Sequence, residues 1–437
     1  MTFCTRIFYL VSTLVLAVTN TATVRPITPE QAPTKNAPAN WTFVIFMRPS
    51  SNLQEFVIKN IESIARGGVM PGINVVIQEN NALVAQRFQV INHAIIDQET
   101  LSVEPDDEIN LVNTMAWAVE KFPAEQYALI VWGNGAGVLD QHFIPSSGTW
   151  EFEETVLATA AQPCQVCQVG TCSQQVKRAV AFDDALKRFL STAGLGRALT
   201  TISEKVLRGQ KLAIIGMDAC RMAMAEVAYE VRGTAQYLIG CENCTPLPDG
   251  WNYEQIFARM DSTGSTPEDI CRLIVTTFQE FYEKYDHTKT YTESAIALAH
   301  IEQLAQELST IAKLCCTNQT DTTLLQTAKT ARNGAISMCN APCYIDLGTW
   351  LIAFENAVAK DLEQIAPDTY TQLQRALAGA HRALGQAVLA SVNGPHMAGV
   401  QGISIYFPQS HLDSSYDSAQ FGRATGWTSL IRTYLKL

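Results

Sequence analysis

The chain has 437 residues, 47% hydrophobic and 17% charged, which is enough apolar content to bury a large core and argues against a disordered chain. Its 42 acidic residues outnumber 31 basic ones, for a formal net charge of -11 at pH 7. Phosphate binding needs clustered Lys and Arg, and here they are scattered, so no nucleic-acid partner is expected and a peptide or protein, a basic one best, suits the surface.

Residues 1–22 carry one charge at Arg6, an apolar run from Ile7 to Val18, and small polar residues from Thr19 to Ala22, the pattern of a secretory signal peptide. The run is shorter than the ~20 residues that cross a bilayer as a helix, so no membrane contact is expected beyond that leader. Export to the periplasm or the exterior is the corresponding expectation. Residues 23–40 hold Pro26, Pro29, Pro33 and Pro38 without an apolar period and read as a linker.

The folded domain is expected over 41–437. WTFVIFM, INVVIQ, YALIVW and KLAIIGM are short apolar runs with polar or Gly-rich ends, and they read as buried strands. Between them FVIKNIESIA and INLVNTMAWAVEKF space their apolar residues as helices do. This alternation predicts an α/β fold with a mostly parallel sheet and helices on both faces, whose site lies at the carboxyl ends of the strands. A core over 41–300 is interrupted at 145–179 by a Cys-containing surface insertion. The part from 301 to 437 is expected to add helices, including an Ala-rich one from Tyr370 to Val392, and a returning strand in GISIYFP.

Two strand ends stop abruptly at small polar residues: Trp132-Gly133-Asn134-Gly135-Ala136-Gly137 and Asp218-Ala219-Cys220. MAMAEVAYEV has helical spacing and begins two residues after Cys220. The thiol is therefore expected at a helix N-terminus, where backbone N–H groups and the dipole favour thiolate. A buried structural cysteine is the alternative reading of the same residue.

These segments, with YLIGCENCTPLPDGWNYEQI, TESAIAL, YIDLGTW and GISIYFP in that order, resemble the clostripain family of cysteine peptidases, relatives of caspases, legumains and gingipains. The resemblance covers nearly everything from Trp41 to Leu437. It implies a caspase-hemoglobinase-like fold, Cys220 at the nucleophile position, and Asp218, Glu242 and Asp249 as acids that would bind an Arg or Lys before the scissile bond. The family pattern at the other strand end is Trp-Asp-His-Gly-Ser-Gly, so Asn134 stands at the position of the catalytic His. An amide does not titrate near neutrality and cannot replace imidazole as a general acid–base. His142, on the loop that follows, is the nearest substitute in sequence; His93 and His396 have no motif to recommend them. Arg221, after the nucleophile position, is expected to neutralise the pocket if it reaches Asp218. No cofactor and no metal are expected, and calcium enters only through the family resemblance.

Export bears on the cysteines, because oxidising compartments pair thiols. Of 12, Cys4 lies in the signal peptide, leaving an odd number and one unpaired thiol. Cys164 with Cys167, and Cys241 with Cys244, have the spacing of zinc ligands, but without a neighbouring His they read as disulfides. Lys177 and Arg178 offer an internal cleavage point, set against a disulfide-tied loop. Two functional readings follow: a catalytically impaired homologue that binds peptide or protein, and an active endopeptidase cutting after Arg or Lys.

Overall fold

The structure, a computed structural model, describes residues 38–50, 53–81, 84–139, 142–144, 149–151, 180–183, 188–246, 249–261, 265–285, 289–317, 322–338 and 341–437. The signal peptide, nearly all of the linker, and most of the 145–179 insertion with Cys164, Cys167, Lys177 and Arg178 lie outside the described residues.

Nine strands make the main sheet: β1 (Ala39–Arg48), β2 (Ile73–Asn80), β3 (Val84–Ile91), β4 (Ala94–Ser102), β5 (Ala124–Gly133), β6 (Leu212–Asp218), β7 (Ala235–Gly240), β8 (Thr292–Ala297) and β9 (Val388–Asn393). Their order is β9-β8-β7-β6-β5-β1-β2-β3-β4. The five central strands, β7 to β2, run parallel, while antiparallel strands extend both edges, as hairpins at the β3–β4 edge and through long helical connections at the β8–β9 edge. Successive side chains of a strand point to opposite faces, so Phe43, Ile45 and Met47 of β1 enter one core and Val44 and Phe46 the other. All five are 1% exposed or less, and burying each contributes roughly 1.5–3 kcal/mol.

Helices cover both faces. One face packs α1 (Gln54–Gly67), α5 (Tyr253–Arg259) and α6 (Pro267–Tyr285); the other packs α2 (Asp107–Lys121), α3 (Thr192–Thr201) and α4 (Ala225–Val231). The later helices α7 (Ile301–Cys316), α8 (Thr323–Gly334), α9 (Leu347–Lys360), α10 (Pro367–Ala387), α11 (Gln420–Thr425) and α12 (Trp427–Tyr434) join that second core. No helix among the described residues is long and apolar enough to cross a membrane.

Several expectations need correction. The β3–β4 hairpin turns at Asn92-His93, both with positive φ (47° and 66°), and the sequence reading had no strands there. The Ala-rich helix ends at Ala387; Val388–Asn393 is an edge strand paired with β8. GISIYFP supplies the strand Ser404–Tyr406, which belongs to a separate three-stranded sheet with Ala341–Asp346 and Ser337–Met338.

Candidate active site

β5 and β6 are parallel neighbours with Asp218 level with Trp132. Two residues further along each, Asn134 and Cys220 leave the sheet together at its carboxyl edge. Gly135 makes the approach close: a Cβ there would lie 2.2 Å from the Cys220 carbonyl oxygen and 2.8 Å from its nitrogen. The two predicted strand ends thus meet. Asn134 donates its Nδ2 hydrogen bond to the hydroxyl of Ser50, which follows β1.

Cys220 is partly exposed. It is not at a helix N-terminus: α4 begins only at Ala225, because Ala223 donates its N–H to the Cys241 carbonyl (2.9 Å) and Met224 bridges to Ser404. The helix dipole is therefore not the influence on the thiol. A hydrogen bond with Cys244 and burial push Cys220 well above the ordinary thiol value, against the opposing pull of the Arg221 guanidinium. These influences favour the protonated thiol at Cys220, the reverse of the expected thiolate.

Arg221 has a left-handed backbone (φ 60°) and is fully buried. Its Nη2 lies 3.0 Å from Cys244 Sγ. Asp218 takes its hydrogen bonds from the Trp251 N–H (3.2 Å) and the Tyr253 hydroxyl (2.9 Å), so the expected neutralisation of Asp218 by Arg221 gives way to an Arg221–Cys244 contact.

The three acids expected to hold a basic side chain are otherwise engaged. Asp218 is 3% exposed, and burial pushes its carboxyl up to about 7. At neutral pH it carries only part of a negative charge. Glu242 is buried, accepts from the Gly402 N–H (3.1 Å), and is hydrogen-bonded to the Asp346 carboxyl; burial and that neighbour raise it well above the usual carboxylate range. Asp249 is paired with Lys59 at the surface.

The raised value at Asp218 has a measurable consequence. Between its ordinary value of 3.8 and about 7, the folded state holds a proton that the unfolded chain has released. This contribution to stability is complete below that window and is lost as pH rises through about 7. Asp218→Asn, which keeps a neutral acceptor, is expected to flatten the fall, by up to about 1.4 kcal/mol per pH unit. Buried Glu226, also raised to about 7, preserves a residual slope of the same sign. Unfolding midpoints from pH 4 to 7.5 that run parallel for parent and variant would contradict this.

His93 caps the hairpin tip, its Nδ1 3.2 Å from the carbonyl oxygens of Ala65 and Arg66. His396 lies in the single turn Pro395–Met397. The backbone of His142 pairs with Glu151 in a short hairpin.

No disulfide joins Cys241 and Cys244, contrary to expectation. Cys241 Sγ is buried against the carbonyls of Asn243 (3.0 Å) and Ala219 (3.4 Å) and the Thr245 hydroxyl (3.2 Å), whereas Cys244 meets Cys220 and Arg221. The partnership of Cys244 with Cys220 was missed; the available signal, the close spacing of Cys241 and Cys244, pointed instead to a bond between those two. Among the described residues no group of three or more His, Cys, Asp or Glu is arranged to hold a metal ion.

A mostly parallel sheet with helices on both faces and a cysteine just past the carboxyl end of one strand is an arrangement that the caspase-like fold shares, and the likeness to C11 protease structures assigns that fold here. The sequence model of the clostripain family, peptidase family C11, matches residues 169–432, more than half of the chain, and the chain belongs to that family. The match contains Cys220 and begins after Asn134. Among solved structures, an inactive zymogen C11 protease from Parabacteroides distasonis is similar with a TM-score of 0.58 and 18% identity, over 90% of this chain and 99% of that one. A secreted C11 cysteine protease from Bacteroides thetaiotaomicron, iotapain, gives 0.59 and 16% over 91% and 100%. A secreted C11 protease from the same organism, in complex with an irreversible peptide inhibitor, gives 0.58 and 14% over 89% and 99%. No match was found among curated proteins.

Proposed function

We propose that this chain is an exported clostripain-family protein that has lost efficient peptide-bond hydrolysis and binds peptide or protein at the remnant site. The observation that carries the reading is Asn134, an amide tied to Ser50 beside Cys220, at the place where the family uses imidazole. Without a group at 134 that titrates near neutrality, and with the Asp218 carboxyl held under Trp251 and Tyr253, proton transfer to the leaving amine is lost, at a cost of roughly 100- to 10,000-fold. The protonated Cys220 thiol adds to that deficit. Export is supported by the leader pattern in residues 1–22 and by the description of two similar structures as those of a secreted protease.

The alternative, an endopeptidase cutting after Arg or Lys, keeps Cys220 as nucleophile. Fluorogenic Arg and Lys peptides, with reductant and with or without calcium, separate the two. The expected result for the mature protein is no turnover above a Cys220→Ala control, while fluorescent peptides still bind. Because Asp218 is buried and only partly charged at neutral pH, neutral peptides are expected to bind about as well as basic ones. Turnover that vanishes in Cys220→Ala would overturn the impaired reading.

A further inference from the structure

Two backbone bonds join the segments around Cys220 and Cys244: the Arg221 N–H donates to the Asn243 carbonyl (2.8 Å) and the Ala223 N–H to the Cys241 carbonyl (2.9 Å). The two bonds step in opposite directions along the chain, as in an antiparallel pair. One residue further out, Cys220 comes opposite Cys244. Facing residues in such a pair hold their Cβ atoms about 4.5–5.5 Å apart, a small movement from the roughly 3.5–4.5 Å of a disulfide. Cys244 is close enough to push the Cys220 thiol up, and both cysteines are partly exposed. Arg221 Nη2, 3.0 Å from Cys244 Sγ, supplies a cation that stabilises a thiolate on Cys244. Cys241, by contrast, is buried on its own hydrogen-bond partners.

We propose that Cys220 and Cys244 form a reversible disulfide that removes the thiol from the nucleophile position, closed by a small organic disulfide and reopened by a thiol. This deepens the functional reading above and rests on it for the role of Cys220. In the first step the Cys244 thiolate attacks one sulfur of the small disulfide, whose S–S bond breaks and releases one thiolate. Cys220 then gives up its proton and attacks Cys244 Sγ in the mixed disulfide, displacing the second thiolate. Two protein thiols are oxidised and one small disulfide is reduced to two thiols, which carry away the protons.

The test uses the mature chain treated with oxidised glutathione, then digested without reduction and mapped by mass, with iodoacetamide labelling alongside. The expected result is a peptide containing Cys220 linked to the peptide containing Cys241 and Cys244, with loss of Cys220 labelling and release of the link by dithiothreitol. The link should persist in Cys241→Ser and vanish in Cys244→Ser. Should Cys244→Ser fail to fold, Cys220→Ser serves instead, with glutathione expected to remain on Cys244 as a mixed disulfide. A link that survives Cys244→Ser, pairing of Cys220 with any other cysteine, or full labelling of Cys220 after oxidation would overturn the proposal. These readouts are masses, so they stand whether or not the protein cleaves or binds a peptide.

Discussion

Asn134→His is expected to raise hydrolysis of Arg or Lys peptides by roughly 100-fold or more over the parent under reducing conditions. The argument is positional. Asp218 is level with Trp132, so the residues two further along leave the sheet side by side, and the bare Gly135 backbone lies against the Cys220 main chain. The main chain at 134–135 is therefore held against that of Cys220 by the sheet itself, and one rotamer change at 134 separates the Ser50 side from the thiol side. Ser50, which accepts from the Asn134 amide, lies within hydrogen-bond reach of a side chain at 134. An imidazole there titrates near neutrality, so it can take the Cys220 proton and return one to the leaving amine. The blank is the Asn134→His, Cys220→Ala double variant. No gain in the single variant would mean that the site lacks more than its base, and the Arg221–Cys244 contact would then be the next obstacle to remove.

How much of this was legible depended on what each segment packs against. β1, β2, β5 and β6 are buried on both faces, so their sequences are nearly unbroken apolar runs. β4 is mostly exposed and mixes Ile95 and Ile96 with Asp97, Gln98 and Glu99; it owes its extended form to pairing with β3, which no local pattern encodes. Val388–Asn393 continues an Ala-rich helix with no Pro to stop it, and its hydrogen bonds to β8 decide the outcome. At the site, the strand ends bearing Asn134 and Cys220 could be read because apolar runs stop there. The helical period after Cys220 misled, since Ala223 and Met224 are drawn into bonds with distant Cys241 and Ser404, shortening the helix. Asp218 was found, but its burial under Trp251 and Tyr253 follows from a loop more than thirty residues away. Local sequence names the residue types of a site more readily than their charge states, which depend on what the rest of the chain stacks above them.

Arg48→Ala is expected to cost about 3–5 kcal/mol of stability, measured by urea unfolding at pH 7. Arg48 ends β1 and is 1% exposed; its Nη1 is bonded to Asp107, the first residue of α2, which is also buried. Truncating the arginine removes the cation opposite a carboxylate that sits inside the protein, and the cost is chiefly that of the charge left behind. Replacing both partners, as Arg48→Met with Asp107→Leu, is therefore expected to recover most of the loss. The position gives the ion pair a second consequence. Arg48 is level with Gly133 across the β1–β5 ladder, and Ser50, two residues on, holds the Asn134 amide. A loosened end of β1 frees the anchor of Asn134, so the Asn134→His gain should shrink in the Arg48→Ala background even where the protein is still folded. A stability loss below about 1 kcal/mol, the range typical of exposed pairs, would show that the buried geometry does not set the energy of this pair.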